Sequence, residues 1–311
     1  MQFSHTPVLL DEVVDVLAPG RGGVFVDGTL GGGGHAEAIL SRLPAGSLYV
    51  GIDRDTEALQ AASERLAGFG DMFLPLHGNF FDMKALLGAR GIERADGILL
   101  DLGVSSHQLD TPERGFSYRS DAPLDMRMDR SCGQTAADVV NGYPEEELIR
   151  VFREYGEERF SGRIAGAIVR ERGKKQIETT AELADIVRSA IPAKFRGEAQ
   201  HPARRVFQAV RIEVNRELDG LRKAVDDALD LLQKDGVLCI ITFHSLEDRI
   251  VKQAFRSYEN PCTCPPSAPV CICGKKPTAV ILTKKPVTAG EGELENNSRA
   301  SCAKMRAVRK I

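Results

Sequence analysis

The stretch that most restricts the fold is a short apolar strand, Val24-Phe25-Val26, that runs into Asp27-Gly-Thr-Leu-Gly-Gly-Gly-Gly-His35 and then into a helix over about 36–43. Only glycine lets a backbone take positive φ freely and come close to a ligand. Four in a row, Gly31 to Gly34, between a strand and a helix therefore point to a binding loop rather than a merely tight turn. The same rhythm continues downstream. A strand over 48–52 ends on Asp53, a helix spans 56–66, a third strand lies near 72–76, and a fourth over 97–100 ends on Asp101. Upstream, Val8, Leu9, Val13, Val14 and Leu17 recur at helical spacing, and Pro19-Gly20 closes that helix. Strands alternating with helices at this spacing predict an α/β fold, a parallel sheet with helices on both faces.

The rhythm stops near 107, and the stretch 107–207 carries helical patterns and loops without a convincing strand. It resumes with a long helix ending near 233 and a β-branched strand over 237–242, while 279–284 and 303–308 read as a closing strand pair. The expected organisation is a nucleotide-binding domain made of 1–106 and 208–311, with a helical substrate-recognition domain, 107–207, inserted after the fourth strand. A chain of 311 residues, 42% hydrophobic, is long enough for both.

A formal net charge of −3 means that any nucleic-acid partner must be met by local basic patches. Residues 1–10 have neither the basic nor the apolar region of a signal peptide, and the apolar run 236–243 is far too short to span a bilayer. Seven cysteines, an odd number, fit a reduced cytoplasmic compartment with no membrane association.

Two ligands compete for the glycine loop. Gly31, Gly33 and Ala36 fit the G-x-G-x-x-A spacing of a nicotinamide dinucleotide site, and Asp53 stands where an acid would hold ribose hydroxyls. S-adenosylmethionine is favoured by Asp27, which ends the first strand where the amino-acid part of a methionine-type ligand would lie, and by a second acid, Asp101, at the same sheet edge. Phe80, in Gly78-Asn79-Phe80 after the third strand, is placed to stack on an adenine ring, or else is a core phenylalanine.

The blocks Asp27-Gly-Thr-Leu-Gly-Gly-Gly-Gly-His35, Asp96-Gly-Ile-Leu-Leu-Asp-Leu-Gly-Val-Ser-Ser106 and Ile241-Thr-Phe-His-Ser-Leu-Glu-Asp-Arg-Ile-Val-Lys252 closely resemble the bacterial 16S ribosomal RNA cytosine-N4 methyltransferase family. His5-Thr-Pro-Val-Leu-Leu-Asp-Glu12, Glu113-Arg-Gly-Phe-Ser117, Pro123-Leu-Asp-Met-Arg-Met128, Tyr155-Gly-Glu-Glu-Arg-Phe160 and His201-Pro-Ala-Arg-Arg-Val-Phe-Gln-Ala-Val-Arg-Ile212 extend the resemblance over essentially the whole chain. The resemblance implies a class I methyltransferase Rossmann-like sheet with an inserted helical domain. It implies S-adenosyl-L-methionine as cofactor, with contacts at Gly33, Gly34, His35, Asp53, Phe80, Asp101 and Gln108. The implied substrate is a cytidine in the decoding region of 16S ribosomal RNA, methylated on its exocyclic N4 in the small ribosomal subunit. Self-association into a homodimer is left open.

Two departures from the wider methyltransferase pattern stand out. The first glycine of the usual acidic-x-Gly-x-Gly-x-Gly loop is Thr29, and the Asp-Pro-Pro-aromatic motif of many amino-methyltransferases is replaced by Asp101-Leu-Gly-Val-Ser105. The cytosine amino group is a poor nucleophile because its lone pair is delocalised into the ring. It must be aimed along the S–CH3 bond and its N–H hydrogens accepted, which is a matter of positioning and preorganised acceptors. Asp101 is the first candidate acceptor. His244 is the second, with Phe243 beside it to stack on a flipped base. The competing reading of His244 is a structural hydrogen bond at a strand end.

Arg159, Arg163, Arg170, Arg172, Lys174 and Lys175 lie close together with one acid, Glu171, among them; 194–216 carries six more basic residues against two acids; the tail 299–310 has five and none. Each run reads as solvated surface on its own, but their place in or beside the insert supports phosphate contact. Cys262-Thr-Cys264 and Cys271-Ile-Cys273 flank a proline-containing loop. Four thiolates could bind zinc, yet C-x-C is a less common ligand pair than C-x-x-C, so a reduced surface loop without metal is the expected state. A DNA or protein amino-methyltransferase and a non-catalytic ribosome-assembly factor remain alternatives on the sequence alone.

Overall fold

The structure, a computed structural model, describes 7–131, 133–196, 201–265 and 270–311. His5 and Thr6 of the family-like block 5–12, part of the basic stretch 194–216, and the prolines nearest the second cysteine pair lie outside the described residues.

Along the chain run α1 (Leu10–Leu17), β1 (Val24–Asp27), α2 (Gly34–Leu40), β2 (Leu48–Asp53), α3 (Thr56–Leu66), β3 (Phe73–His77), α4 (Met83–Gly88) and β4 (Ala95–Asp101). Next come α5 (Ser106–Asp110), α6 (Ala136–Gly142), α7 (Glu145–Glu154), α8 (Ser161–Arg172), α9 (Thr180–Ala190) and α10 (Arg204–Asn215). The chain closes with α11 (Leu221–Leu231), β5 (Leu232–Thr242), α12 (Ser245–Glu259), β6 (Ala279–Ile281), α13 (Glu291–Asn296) and β7 (Lys304–Lys310). The sheet order is β3-β2-β1-β4-β5-β7-β6. The first five strands are mutually parallel, and β7 is antiparallel to both of its neighbours. This is the class I methyltransferase sheet that the resemblance implies.

Successive side chains of a strand point to opposite faces, and a parallel sheet must cover both. Phe25, Tyr49, Leu99, Cys239 and Ile241 pack with Val13, Val14 and Leu17 of α1, Ile39 and Leu40 of α2, and Ala62 and Leu66 of α3. The alternate positions Val26, Val50, Ile52, Ile98, Leu100, Leu238 and Ile240 pack with Met83 and Leu87 of α4, Val225 and Leu229 of α11, and Val251 and Phe255 of α12. Each fully buried Leu, Ile or Phe contributes about 1.5–3 kcal/mol.

Some expected boundaries move. α2 begins inside the glycine run, at Gly34. β5 begins at Leu232, because Leu232 already pairs with Ala95 ahead of an irregularity in the register. The polar segment Gln233-Lys-Asp-Gly236 hides that start from any hydrophobic pattern. β6 stops at Ile281 rather than 284.

The chain divides into two compact units, Met1–Gly103 with Leu218–Ile311, and Val104–Glu217. The return to the sheet unit falls at Leu218 rather than 208, because α10 gives Val206, Phe207, Ala209, Val210 and Ile212 to the same core as α6, α7, α8 and α9. Among the described residues the helical unit's β pairing is the isolated bridge Pro123–Thr179.

Two of the family-like blocks turn out to hold this unit together. Arg114, 1% exposed, donates from Nη2 to the carbonyls of Arg127 and Met128, each at 3.0 Å. Gly115 has φ +72°, and a β-carbon there would strike the Pro123 carbonyl oxygen. Asn215 at the end of α10 accepts the Met128 amide at 2.8 Å and donates to the Met126 carbonyl at 2.7 Å. Asn215→Ala leaves that amide and carbonyl buried without the side chain, and each orphaned group costs about 1–3 kcal/mol. Urea unfolding should show that loss; a midpoint equal to that of the parent protein would contradict the clamp.

Candidate functional site

From β1 the chain moves to β2 and β3 on one side, and β4 and β5 lie on the other. Loops leaving the carboxyl ends of β1 and β4 therefore diverge, and open α/β sheets bind ligands in the crevice this leaves. Asp27, Asp53 and Asp101 end β1, β2 and β4 at that edge.

The glycine loop is shaped by backbone conformation. Gly31 and Gly33 take φ +51° and +76°, where other residues are strained. A β-carbon on Gly33 would also press on Ala62 Cβ at 3.2 Å and Leu66 Cδ1 at 3.3 Å of α3. The Gly31 amide donates to Asp53 Oδ2 at 2.8 Å, and the Asp55 amide donates to Asp53 Oδ1 at 2.9 Å. One carboxylate thus ties the loop to the start of α3. Burial raises the Asp53 pKa, and the two amides work against that rise.

Asp27 ends β1 as expected, with its side chain buried in the fold. It is 1% exposed, accepting from the Tyr49 hydroxyl at 3.0 Å and from the Thr29 amide at 2.9 Å. Burial pushes its carboxyl up to about 6. Both oxygens accept from the scaffold, so Asp27 braces the loop from beneath. Thr29, which replaces the usual glycine, is a tie: its hydroxyl accepts the Asp101 amide at 2.6 Å and joins the glycine loop to the end of β4.

His35, in the first turn of α2, is buried and donates from Nε2 to the Val8 carbonyl at 2.9 Å. That bond puts the proton on Nε2 and leaves Nδ1 3.7 Å from Asp101 Oδ2. Burial pushes the imidazole down to about 4, so it is neutral at pH 7. Asp101 is pushed well above the usual carboxylate range by burial, then by the negative charges of Asp27 and Glu247. Its Oδ1 is buried with no hydrogen-bond partner among the described residues. Phe80 is half-buried beside Phe81, with ring centroids 4.6 Å apart. Its Cβ lies only 2.9 Å from where a Gly28 β-carbon would sit, so glycine at 28 is what admits the ring beside β1.

The sheet unit therefore brings together Gly33, Gly34, His35, Asp53, Phe80 and Asp101 at one edge. Gln108 belongs to the helical unit, where it is buried and closes a capping box with Ser105 at the start of α5.

His244 caps α12. Its Nδ1 accepts the Glu247 amide at 3.4 Å, while the Glu247 carboxylate takes the amides of Phe243 at 2.9 Å and His244 at 3.3 Å. Its Nε2 stands 3.1 Å from Glu247 Oε1, but off the line of a hydrogen bond. The structural role of His244 is thus the one the geometry favours. Glu247, a 2% exposed acid close enough to raise the Asp101 pKa, does not stand out among the candidate residues of the sequence. The His-x-x-Glu spacing of a capping box is its one signal.

The basic runs are largely committed within the fold. Arg172 donates to the Val140 carbonyl at 2.8 Å, Lys174 pairs with Glu171 at 2.9 Å, and Lys175 pairs with Glu182 at 2.7 Å. Arg159 lies over the Phe195 ring at 4.2 Å, and Arg211 pairs with Glu217 at 2.8 Å. In the tail, Arg306 pairs with Asp248 at 2.6 Å, and Lys310 donates to the carbonyls of Asp230 and Leu232. Counting charges along a chain does not reveal their partners. Arg163 and Arg170 keep no acid partner among the described residues.

A family profile described as the MraW methylase family matches residues 2–311. The chain belongs to the MraW methylase family. Relatives named ribosomal RNA small subunit methyltransferase H are 54% identical to it over 311 residues: those of Clostridium botulinum (strain Loch Maree / Type A3), covering 100% of both chains, and of Carboxydothermus hydrogenoformans, covering 100% of this chain and 99% of the relative. Agathobacter rectalis has a ribosomal RNA small subunit methyltransferase H 2 with the same identity, covering 100% of this chain and 99% of that relative. As an MraW methylase, the chain is a methyltransferase of the class I fold whose methyl donor is S-adenosyl-L-methionine. No helix among the described residues is long and apolar enough to cross a membrane.

The neutral His35 has a consequence for acid stability. Its folded pKa, about 4, lies below the ordinary 6.5, so the unfolded chain takes up the proton first. The stability this contributes is present above 6.5 and is lost as pH falls toward 4. A His35→Gln variant can still donate to Val8 but has nothing to protonate. Between those pH values the parent protein should lose more stability than the variant; parallel urea-midpoint profiles would show that the imidazole is not buried neutral.

Proposed function

We propose that this protein methylates the exocyclic N4 of a cytidine in the decoding region of 16S ribosomal RNA, within the small ribosomal subunit. The observation that carries the reading is the edge formed by the glycine loop, Asp53 and Asp101, in a chain 54% identical end to end with relatives named as small-subunit ribosomal RNA methyltransferases. The edge fits the donor. Gly33 keeps the loop in a positive-φ turn packed closely on Ala62 and Leu66 of α3, and Asp101 Oδ1 is a buried acceptor with no partner among the described residues.

S-adenosyl-L-methionine, when bound, supplies a methyl group on a sulfonium. Gly33, Gly34 and His35 would line its site, Asp53 would offer its carboxylate to the ribose hydroxyls, and Phe80 would offer its ring to the adenine. Asp101, drawn toward its charged form by a nearby cation, accepts an N–H of the cytosine amino group and orients the nitrogen lone pair. A strong base is unnecessary, because the methylated nitrogen loses its proton readily. His244 is the second candidate acceptor, and its place as a helix cap supports a role in holding Phe243 and Glu247. The helical unit recognises the RNA, supported by Arg163 and Arg170 on the surface of α8.

Charge-assisted hydrogen bonds contribute about 1.5–3 kcal/mol, so Asp53→Ala should weaken S-adenosylmethionine binding roughly 10- to 150-fold in calorimetry. Unchanged affinity, or a response to NAD in its place, would reassign the loop. The substrate is tested by mass mapping of small-subunit RNA from cells lacking the protein, which should miss one N4-methyl group on cytidine. Transfer of labelled methyl groups by the purified protein to DNA or protein, and not to small subunits, would overturn the reading.

A further inference from the structure

The segment between α12 and β6 contains no helix or strand among its described residues, yet it is closed at both ends. At its base the Thr278 amide donates to the Tyr258 carbonyl at 2.9 Å. At its tip four sulfur atoms meet. Cys271 Sγ lies 3.5 Å from Cys262 Sγ, 3.5 Å from Cys273 Sγ and 3.9 Å from Cys264 Sγ, and Cys262 and Cys273 are 3.8 Å apart. All four atoms lie within 4.8 Å of one another.

We propose that Cys262, Cys264, Cys271 and Cys273 form a structural zinc site. Four thiolates bound tetrahedrally at about 2.3 Å have sulfur–sulfur edges of about 3.8 Å, and the observed separations straddle that value. A disulfide needs about 2.05 Å, so none of these pairs is bonded. A polynuclear iron–sulfur cluster places thiolates on separate irons and spreads them farther apart. Apolar packing does not gather them either. Cys262 and Cys271 are exposed, and the neighbouring Val270 and Ile272 are 70% and 87% exposed, so this tip has no core of its own. The Ile272 amide donates to Cys264 Sγ at 3.4 Å, the kind of outer bond that orients a metal ligand.

Sequence spacing argues the other way, since C-x-C is the less common ligand pair, but the spatial arrangement decides. Soft sulfur donors in a tetrahedral set select zinc or a single iron. Binding breaks the thiol S–H bonds, releases their protons to solvent and forms four Zn–S bonds. The resulting dianionic centre is followed in sequence, after Gly274, by Lys275 and Lys276. By closing the tip, the metal would fix the segment that delivers β6 to the edge of the sheet, at a distance in sequence from the glycine loop.

Elemental analysis of the purified full chain should find about one zinc per chain and no iron, and a mercurial thiol reagent should release that zinc into a colorimetric dye. In a Cys262→Ser, Cys271→Ser variant, zinc should fall below about a tenth of an equivalent. Replacing zinc by cobalt in the parent protein should give the intense visible bands of a tetrahedral thiolate centre, a readout that does not depend on the variant folding. Metal-free protein, iron in place of zinc, unaltered zinc in the double variant, or cysteines found as disulfides by mass spectrometry would each overturn the proposal.

Discussion

The hydrogen bond from the Asp101 amide to the Thr29 hydroxyl sets the edge on which the rest of this molecule depends. It fastens the glycine loop to the end of β4, where the sheet's connections diverge. Asp27 beneath it and Asp53 beside it complete the fastening, one through Tyr49 and the Thr29 amide, the other through the amides of Gly31 and Asp55. A threonine where related loops carry glycine is therefore a connection. The loop keeps its positive-φ glycines for shape and uses side chains for anchorage.

Gathering carboxyl groups at one edge has an electrostatic consequence. Burial raises the pKa of Asp27, Asp53 and Asp101 together, and Asp27 and Glu247 raise Asp101 further. On its own the edge thus shifts its carboxyls toward protonation and keeps His35 neutral. A cationic ligand reverses that preference, because a nearby positive charge stabilises carboxylates. Such an edge is suited to a sulfonium and poorly suited to the phosphates of a dinucleotide.

The helical unit follows a different rule. Its most deeply buried cation, Arg114, holds backbone carbonyls, and Asn215 holds the same turn from α10. Much of its remaining charge is spent on internal pairs, while Arg163 and Arg170 are exposed on α8 without an acid partner among the described residues. A buried charge must be paired or bonded, so packing claims Arg114 before any partner can, whereas the exposed pair of Lys175 with Glu182 holds that lysine weakly.

Much of the sheet was legible in the chain itself. The alternation of Val24-Phe25-Val26, the run Ile98-Leu99-Leu100 and the β-branched stretch at 237–242 oblige two-sided burial, and the glycines mark the loop, because these are consequences of local periodicity and backbone sterics. The acids Asp53 and Asp101 were legible for the same reason: each ends a strand. Local pattern could not say that Asp27 would turn inward to Tyr49, that His244 would cap a helix, that Lys175 would be spent on Glu182, or that four cysteines would converge on one point. Those outcomes depend on which distant groups the packed chain brings within a few ångströms. Hydrogen bonds, ion pairs and metal sites are settled at that range, and only the tertiary structure supplies it.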